Sequence, residues 1–181
     1  INNKVGYTLY HALLRQGFSG LRFNFRGGGR SHGTYDRGEG ELSDAAAALD
    51  WLQTHNENAP GCWIAGFSFG AWIGMQLLMR RPEIEGFISV APPANMYDFS
   101  FLEPCPSSGL MINGDRDEIV PGDSIEKLTK KLSSQKDITI THTVIPGANH
   151  FFTQHLELLD RNVESYIATA RGQDQPEAVG T

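Results

Sequence analysis

"CWIAGFSFGAWIGMQLLMRRP", Cys62 to Pro82, decides the fold. Its first six residues, Cys62 to Phe67, are apolar or glycine without interruption. Such a run, bounded upstream by Pro60 and Gly61, is the pattern of a strand buried on both faces of a parallel sheet. From Phe69 to Arg81 the apolar residues return at helical spacing, and Pro82 stops the helix. A strand therefore becomes a helix across one serine-centred turn, Gly66-Phe67-Ser68-Phe69-Gly70. The chain crowds itself at such a turn, and Gly66 and Gly70 place small residues on either side of it.

The same alternation extends in both directions. Upstream, Asn3 to Gln16 carries Val5, Leu9, Ala12 and Leu13 at helical spacing, with Gly17 as a C-terminal stop. "GLRFNF", Gly20 to Phe25, has the aromatic content of a short strand, and Glu41 to His55 has a helical apolar face. Downstream, "EGFISVAPP" and "SGLMINGD" are buried strands, and Gly122 to Ser133 is a helix. "ITITHTVIPG" is the last strand, and His150 to Ala170 is the last helix. Strands alternating with helices of crossover length predict an α/β domain over residues 1–170, with a mostly parallel sheet of five strands and helices on both faces. Residues 171–181, "RGQDQPEAVGT", have no periodic pattern and read as a mobile tail.

Composition narrows the function classes. The chain has 181 residues, 40% of them apolar, with a net charge of −6. An acidic surface argues against nucleic-acid binding, which needs a basic face to displace counterions from phosphate. No apolar run reaches the roughly 18 residues of a membrane span, and "INNKVGYTLY" is too polar for a secretory leader. Cys62 and Cys105 form no metal-spaced motif and read as free thiols in a reducing, cytoplasmic setting. A homo-oligomer is compatible with the sequence but is not specified by it.

"NFRGGGRSHG", Asn24 to Gly33, follows an apolar stretch as a phosphate loop would. A Walker loop needs Lys and then Ser or Thr after its second glycine, but Thr34 and Tyr35 follow Gly33. A dinucleotide loop needs a third glycine where His32 stands. The remaining reading is a strand-end turn, with Arg26 and Ser31 holding it together.

The serine turn carries the chemistry. A serine between a buried strand and a helix is the context of the G-x-S-x-G elbow, which lifts Oγ above the sheet. The amide of Phe69, at the helix start, can donate to an oxyanion. A glycine-flanked helix cap is the plainer reading of the pentapeptide alone. Serine needs a base, and the base needs an orienting acid, each at the C-terminal end of a later strand. His150, in "PGANHFF", is the one histidine that follows the serine at a strand end; His11, His32, His55, His142 and His155 lie elsewhere in the pattern. For the acid, Asp115, Asp117 and Glu118 in "NGDRDEIVP" all qualify by position.

Four motifs in order, "NFRGGGRSHG", "GFSFG", "NGDRDEIVP" and "GANHFF", resemble the α/β-hydrolase superfamily. They look most like its small, capless, bacterial-type members grouped with dienelactone-hydrolase-like proteins. The resemblance covers Asn3 to about Ala170. It implies Ser68 as nucleophile, His150 as general base and acid, and Asp117, the second aspartate of its loop, as the orienting acid, with Asp115 holding the loop. It implies no cofactor. Related glycine loops begin with Asp where this chain has Asn24. Family members also carry strands ahead of the first helix, and a loop there supplies a second oxyanion N–H. An N-terminal piece is therefore expected to be missing here, with a sheet edge left exposed.

Only about 18 residues, Pro92 to Gly109, separate two strands where many relatives insert a lid. The site is expected to be open and lined by Met96, Tyr97 and Phe99. The resulting reading is a serine hydrolase of small esters or thioesters. The alternatives are a peptidase or lactone hydrolase using the same residues, or a non-catalytic binding domain that keeps the fold. A chain limited to these 181 residues is expected either to turn over esters poorly or to melt without a sharp transition. Normal esterase turnover together with a sharp calorimetric transition would contradict that.

Overall fold

The computed structural model describes residues 3–172; Ile1, Asn2 and residues 173–181, which hold most of the expected tail, lie outside the described residues. Four parallel strands form one sheet in the order β1 (Cys62–Phe67), β2 (Ile84–Val90), β3 (Gly109–Gly114) and β4 (Ile140–Ile145). Five helices accompany them: α1 (Lys4–Arg15), α2 (Glu39–Thr54), α3 (Phe69–Arg80), α4 (Gly122–Ser133) and α5 (Leu156–Ala170).

Side chains alternate across the pleat, so each strand feeds two cores. Phe87 and Met111 pack with Leu42, Ile73, Leu77 and Leu128 from α2, α3 and α4. Ile88, Leu110 and Ile112 pack with Val5, Leu9, Leu159 and Val163 from α1 and α5. Helices thus cover both faces, as the alternation of apolar runs predicts. Arg15 ties α1 to α5 through Asp160 and Glu164. Asn3 caps α1 by accepting from the amides of Val5 and Gly6, and Gly17 follows its end at φ +88°.

Three expectations change. The sheet has four strands rather than five among the described residues, because Gly20–Phe25 runs without a ladder partner. Those residues are held instead by edge-on ring contacts, Phe23 on Phe25 and Phe25 on Phe69, at 5.3 and 5.7 Å. β1 is partly exposed along its whole length, whereas β3 is buried throughout. A cleft of about 800 Å³ runs along β1, between it and the Gly20–Phe25 segment, bordered by Phe18, Phe23, Phe25, Ile64 and Leu77. Finally, α5 begins at Leu156 rather than His150. Phe152 and Gln154 have φ of +54° and +66°, which breaks the helical path and leaves His150 in a turn.

The glycine loop is a clamp. Arg26 donates to Asp44 from its backbone amide at 2.9 Å, from Nε at 3.1 Å and from Nη2 at 2.9 Å. A Cβ on Gly40 would overlap that guanidinium, so the glycine gives it room. The Glu41 carboxylate accepts from the amides of Asp36 and Gly38 at 2.5 and 2.8 Å and closes the entry to α2. Ser31 adds a long 3.4 Å bond to the Asn24 carbonyl.

The bonds from Arg26 hold the Asp44 carboxyl below its ordinary value of 3.8. A lowered carboxylate pKa favours the ionised form in the folded state, so its stabilisation is complete above 3.8 and is lost as the pH falls through the folded value. Asp44→Asn is therefore expected to melt below the wild type at neutral pH, with the two converging on acidification. A gap in melting temperature that is the same at neutral and acid pH would contradict the clamp.

Candidate active site

The turn between β1 and α3 is strained. Ser68 has φ +54° and ψ −122°, a region that non-glycine residues rarely occupy. Its amide donates to the Val90 carbonyl at 2.8 Å, and its carbonyl accepts from Ala71 at 2.9 Å. The residue is thus fixed by the end of β2 on one side and by the first turn of α3 on the other. The two flanking glycines are not equivalent. A Cβ on Gly66 would run into the Gly70 carbonyl and lie 2.7 Å from the Ala71 Cα, whereas one on Gly70 would meet only Phe25 at 3.9 Å. Only Gly66 is sterically demanded. The amide of Phe69 is the first of α3, and the opening N–H groups of a helix have no intrahelical acceptor.

His150 Nε2 lies 3.1 Å from Ser68 Oγ, and His150 Nδ1 lies 2.7 Å from Asp117 Oδ2. The Asp117 side chain is 1% exposed and that of His150 6%. The other oxygen of Asp117 accepts from the amides of Ile119 and Val120, both at 2.8 Å. Two backbone amides occupy Oδ1 and Oδ2 faces Nδ1, so the arrangement suits the tautomer with its proton on Nδ1, in which Nε2 accepts from the serine.

Asp115 does not reach the histidine. Its Oδ1 accepts from the Gly147 amide at 2.6 Å. The amide of Arg116 donates to the Ala148 carbonyl at 3.0 Å. These bonds tie the loop after β3 to the loop after β4, and so set the Asp117–His150 distance. The His150 ring is packed between Phe67 and Phe151, each with its centroid 5.0 Å away.

The expected lining residues divide. Tyr97 lies beside the site, stacked on Trp72 at 4.2 Å and against Phe69 at 5.9 Å. Met96 is exposed, on a loop whose Asn95 donates to the Ile119 carbonyl at 3.1 Å. Phe99 is instead buried in the core, stacked on Phe101 at 5.9 Å beside a separate cavity of about 470 Å³. The 3₁₀ turn Ser100–Leu102 draws it inward. Two residues escaped the sequence reading. Tyr35 packs on Phe69 at 5.9 Å, and Phe151 packs on His150. An aromatic inside a glycine-rich loop and one directly after the histidine were the available signals.

Residues 2–117, through Ser68 and as far as Asp117, match the family described as X-Pro dipeptidyl-peptidase (S15 family). The chain belongs to the S15 family. Its fold is that of the α/β-hydrolase superfamily. This S15 member is 56% identical to ATU1826 of Agrobacterium tumefaciens, described as an α/β hydrolase of unknown function. The match covers 97% of this chain and 81% of that one, with a TM-score of 0.92. It is 32% identical to XC6422 of Xanthomonas campestris, an α/β serine hydrolase without a lid, over 97% of this chain and 76% of that one, with a TM-score of 0.82. Protein RP471 of Rickettsia prowazekii is 50% identical over 93% of this chain and 73% of its own length. No described helix of the S15 member is long and apolar enough to cross a membrane.

Gly66→Ala is expected to lower the melting temperature by the equivalent of about 1–3 kcal/mol, because the new Cβ must push β1 from α3. Gly70→Ala should be far milder. Equal effects of the two in thermal denaturation would contradict the packing described for the turn.

Proposed function

We propose that this protein is a serine hydrolase that cleaves small carboxylic esters or thioesters through an acyl-enzyme. The observation that carries the reading is the unbroken line from Ser68 Oγ through His150 to the buried Asp117, at 3.1 and 2.7 Å. In that reading Ser68 attacks the carbonyl while His150 Nε2 takes its proton. Asp117 orients the ring and stabilises it when charged. The oxyanion forms beside the Phe69 amide. His150 then returns the proton to the leaving oxygen or sulfur, and water, activated by the same nitrogen, releases the acid. Met96 and Tyr97 border the acyl group. Such a reaction uses no cofactor, and the free thiols of Cys62 and Cys105 suit a reducing, cytoplasmic setting.

A second reading has one observation in its favour, the family match itself, whose description names a peptidase acting after X-Pro. The same three side chains would serve amide cleavage. The two readings part on substrate. An ester panel should show turnover that far exceeds that of X-Pro dipeptide amides, and the reverse ranking would favour the peptidase.

Ser68→Ala is expected to reduce ester kcat by at least about 10⁴-fold, and Asp117→Asn by about 10⁴-fold with little change in KM. Asp115→Asn should cost far less. Wild-type kcat in Ser68→Ala, or an Asp115 effect equal to that of Asp117, would count against these roles.

A further inference from the structure

Tyr35 and Phe151 are the two most exposed large apolar side chains among the described residues, at 61% and 57%. Single exposed apolar residues are ordinary on a protein surface. Here both stand beside the three hydrogen-bonded residues of the site, on different elements, one against Phe69 and the other against Phe67 and His150. Phe151 sits on the turn after β4, and its ring meets that of His150 edge-on at 5.0 Å and that of Phe67 at 6.0 Å. Tyr35 sits in the glycine loop, against Phe69 at 5.9 Å. Tyr35, Phe67, Ser68 and Phe69 line the cleft along β1, whereas Phe151 and His150 lie outside it, beyond Phe67.

Acyl transfer gives these two sides different meanings. His150 Nε2 must deliver its proton to the leaving group, so the leaving group lies on the His150 side of Ser68 Oγ. The carbonyl oxygen turns to the Phe69 amide, and the acyl chain extends away from the imidazole, toward Phe69 and Tyr35. A ring on the alcohol then meets Phe151, and a ring on the acid meets Tyr35. Each aromatic face offers offset or edge-on contact to a flat apolar group without closing the site.

We propose that Tyr35 and Phe151 are specificity residues: Tyr35 selects an aromatic acyl group, and Phe151 selects an aromatic leaving group. The favoured substrates are esters that carry a flat apolar group on either side of the scissile bond, ahead of short aliphatic esters. This assignment rests on the serine-hydrolase reading. The Tyr35 ring, packed against Phe69, is the part that selects.

Benzyl acetate and methyl phenylacetate test this directly, because they are isomers with the ring on the alcohol and on the acid. The quantity read is the ratio of kcat/KM for the two esters with the intact protein, which cancels any loss of folded enzyme. Phe151→Ala should shift the ratio against benzyl acetate by about tenfold, and Tyr35→Ala should shift it against methyl phenylacetate by a similar factor. Tyr35→Phe, which keeps the ring, should retain the wild-type ratio. Ratios that stay put in both alanine variants, or move the same way in both, would overturn the assignment while ester turnover still depends on Ser68. Turnover that survives Ser68→Ala would instead overturn the serine-hydrolase reading, and this assignment with it.

Discussion

The backbone of Ser68 is the constraint on which the site depends. A non-glycine residue at φ +54° costs about 1–3 kcal/mol and persists only when its surroundings over-determine it. Those surroundings are specific. Val90 at the end of β2 takes the Ser68 amide, α3 starts from the Ser68 carbonyl, and Gly66 lets the two elements close on each other. The strain is therefore held by the ends of β1 and β2 and by the first turn of α3 rather than by a surface loop. Because β1, β2, β3 and β4 are parallel and adjacent, the loops that leave β3 and β4 emerge at the same edge as the serine turn. That topology places Asp117 and His150 within reach of a residue that precedes them by 49 and 82 positions.

The second layer of the site is a set of bonds between loops. Asp115 to Gly147, Arg116 to Ala148 and Asn95 to Ile119 join the loops after β2, β3 and β4 to one another. None of these groups is proposed to touch substrate. They hold the distance between a buried carboxylate and an imidazole, and small errors in that distance are costly to catalysis. The glycine loop, pinned by Arg26 to Asp44, brings Tyr35 to the same edge from the other side.

Much of this was legible in the sequence, and the reasons are physical. The apolar run Cys62–Phe67 and the helix behind it fixed the direction of the chain through the serine turn. The α4 span, Gly122–Ser133, was readable to the residue because its apolar face, Ile125, Leu128 and Leu132, is strictly periodic. His150 was legible as a histidine at a strand end. Between Asp115 and Asp117 spacing alone does not choose, because both leave β3 within three residues; the resemblance points to Asp117, and it is the Asp117 carboxylate that faces the imidazole while Asp115 binds the Gly147 amide. Gly20–Phe25 has strand composition, yet a strand exists only when a neighbour pairs with it, and no local pattern reports that. The start of α5 was misplaced because Phe152 and Gln154 adopt positive φ, which neither residue type advertises. Phe99 is apolar and near Tyr97, a signature that a lining residue and a core residue share, and the structure buries it in the core.

The claim that Ser68 is an activated nucleophile is tested most directly by mass spectrometry after exposure to a fluorophosphonate. A serine hydrogen-bonded to a histidine that Asp117 orients should react within minutes, adding one phosphonyl group to the peptide that contains Ser68. His150→Ala should abolish the adduct. A protein that stays unmodified, or whose adduct maps to a different residue, would contradict the account.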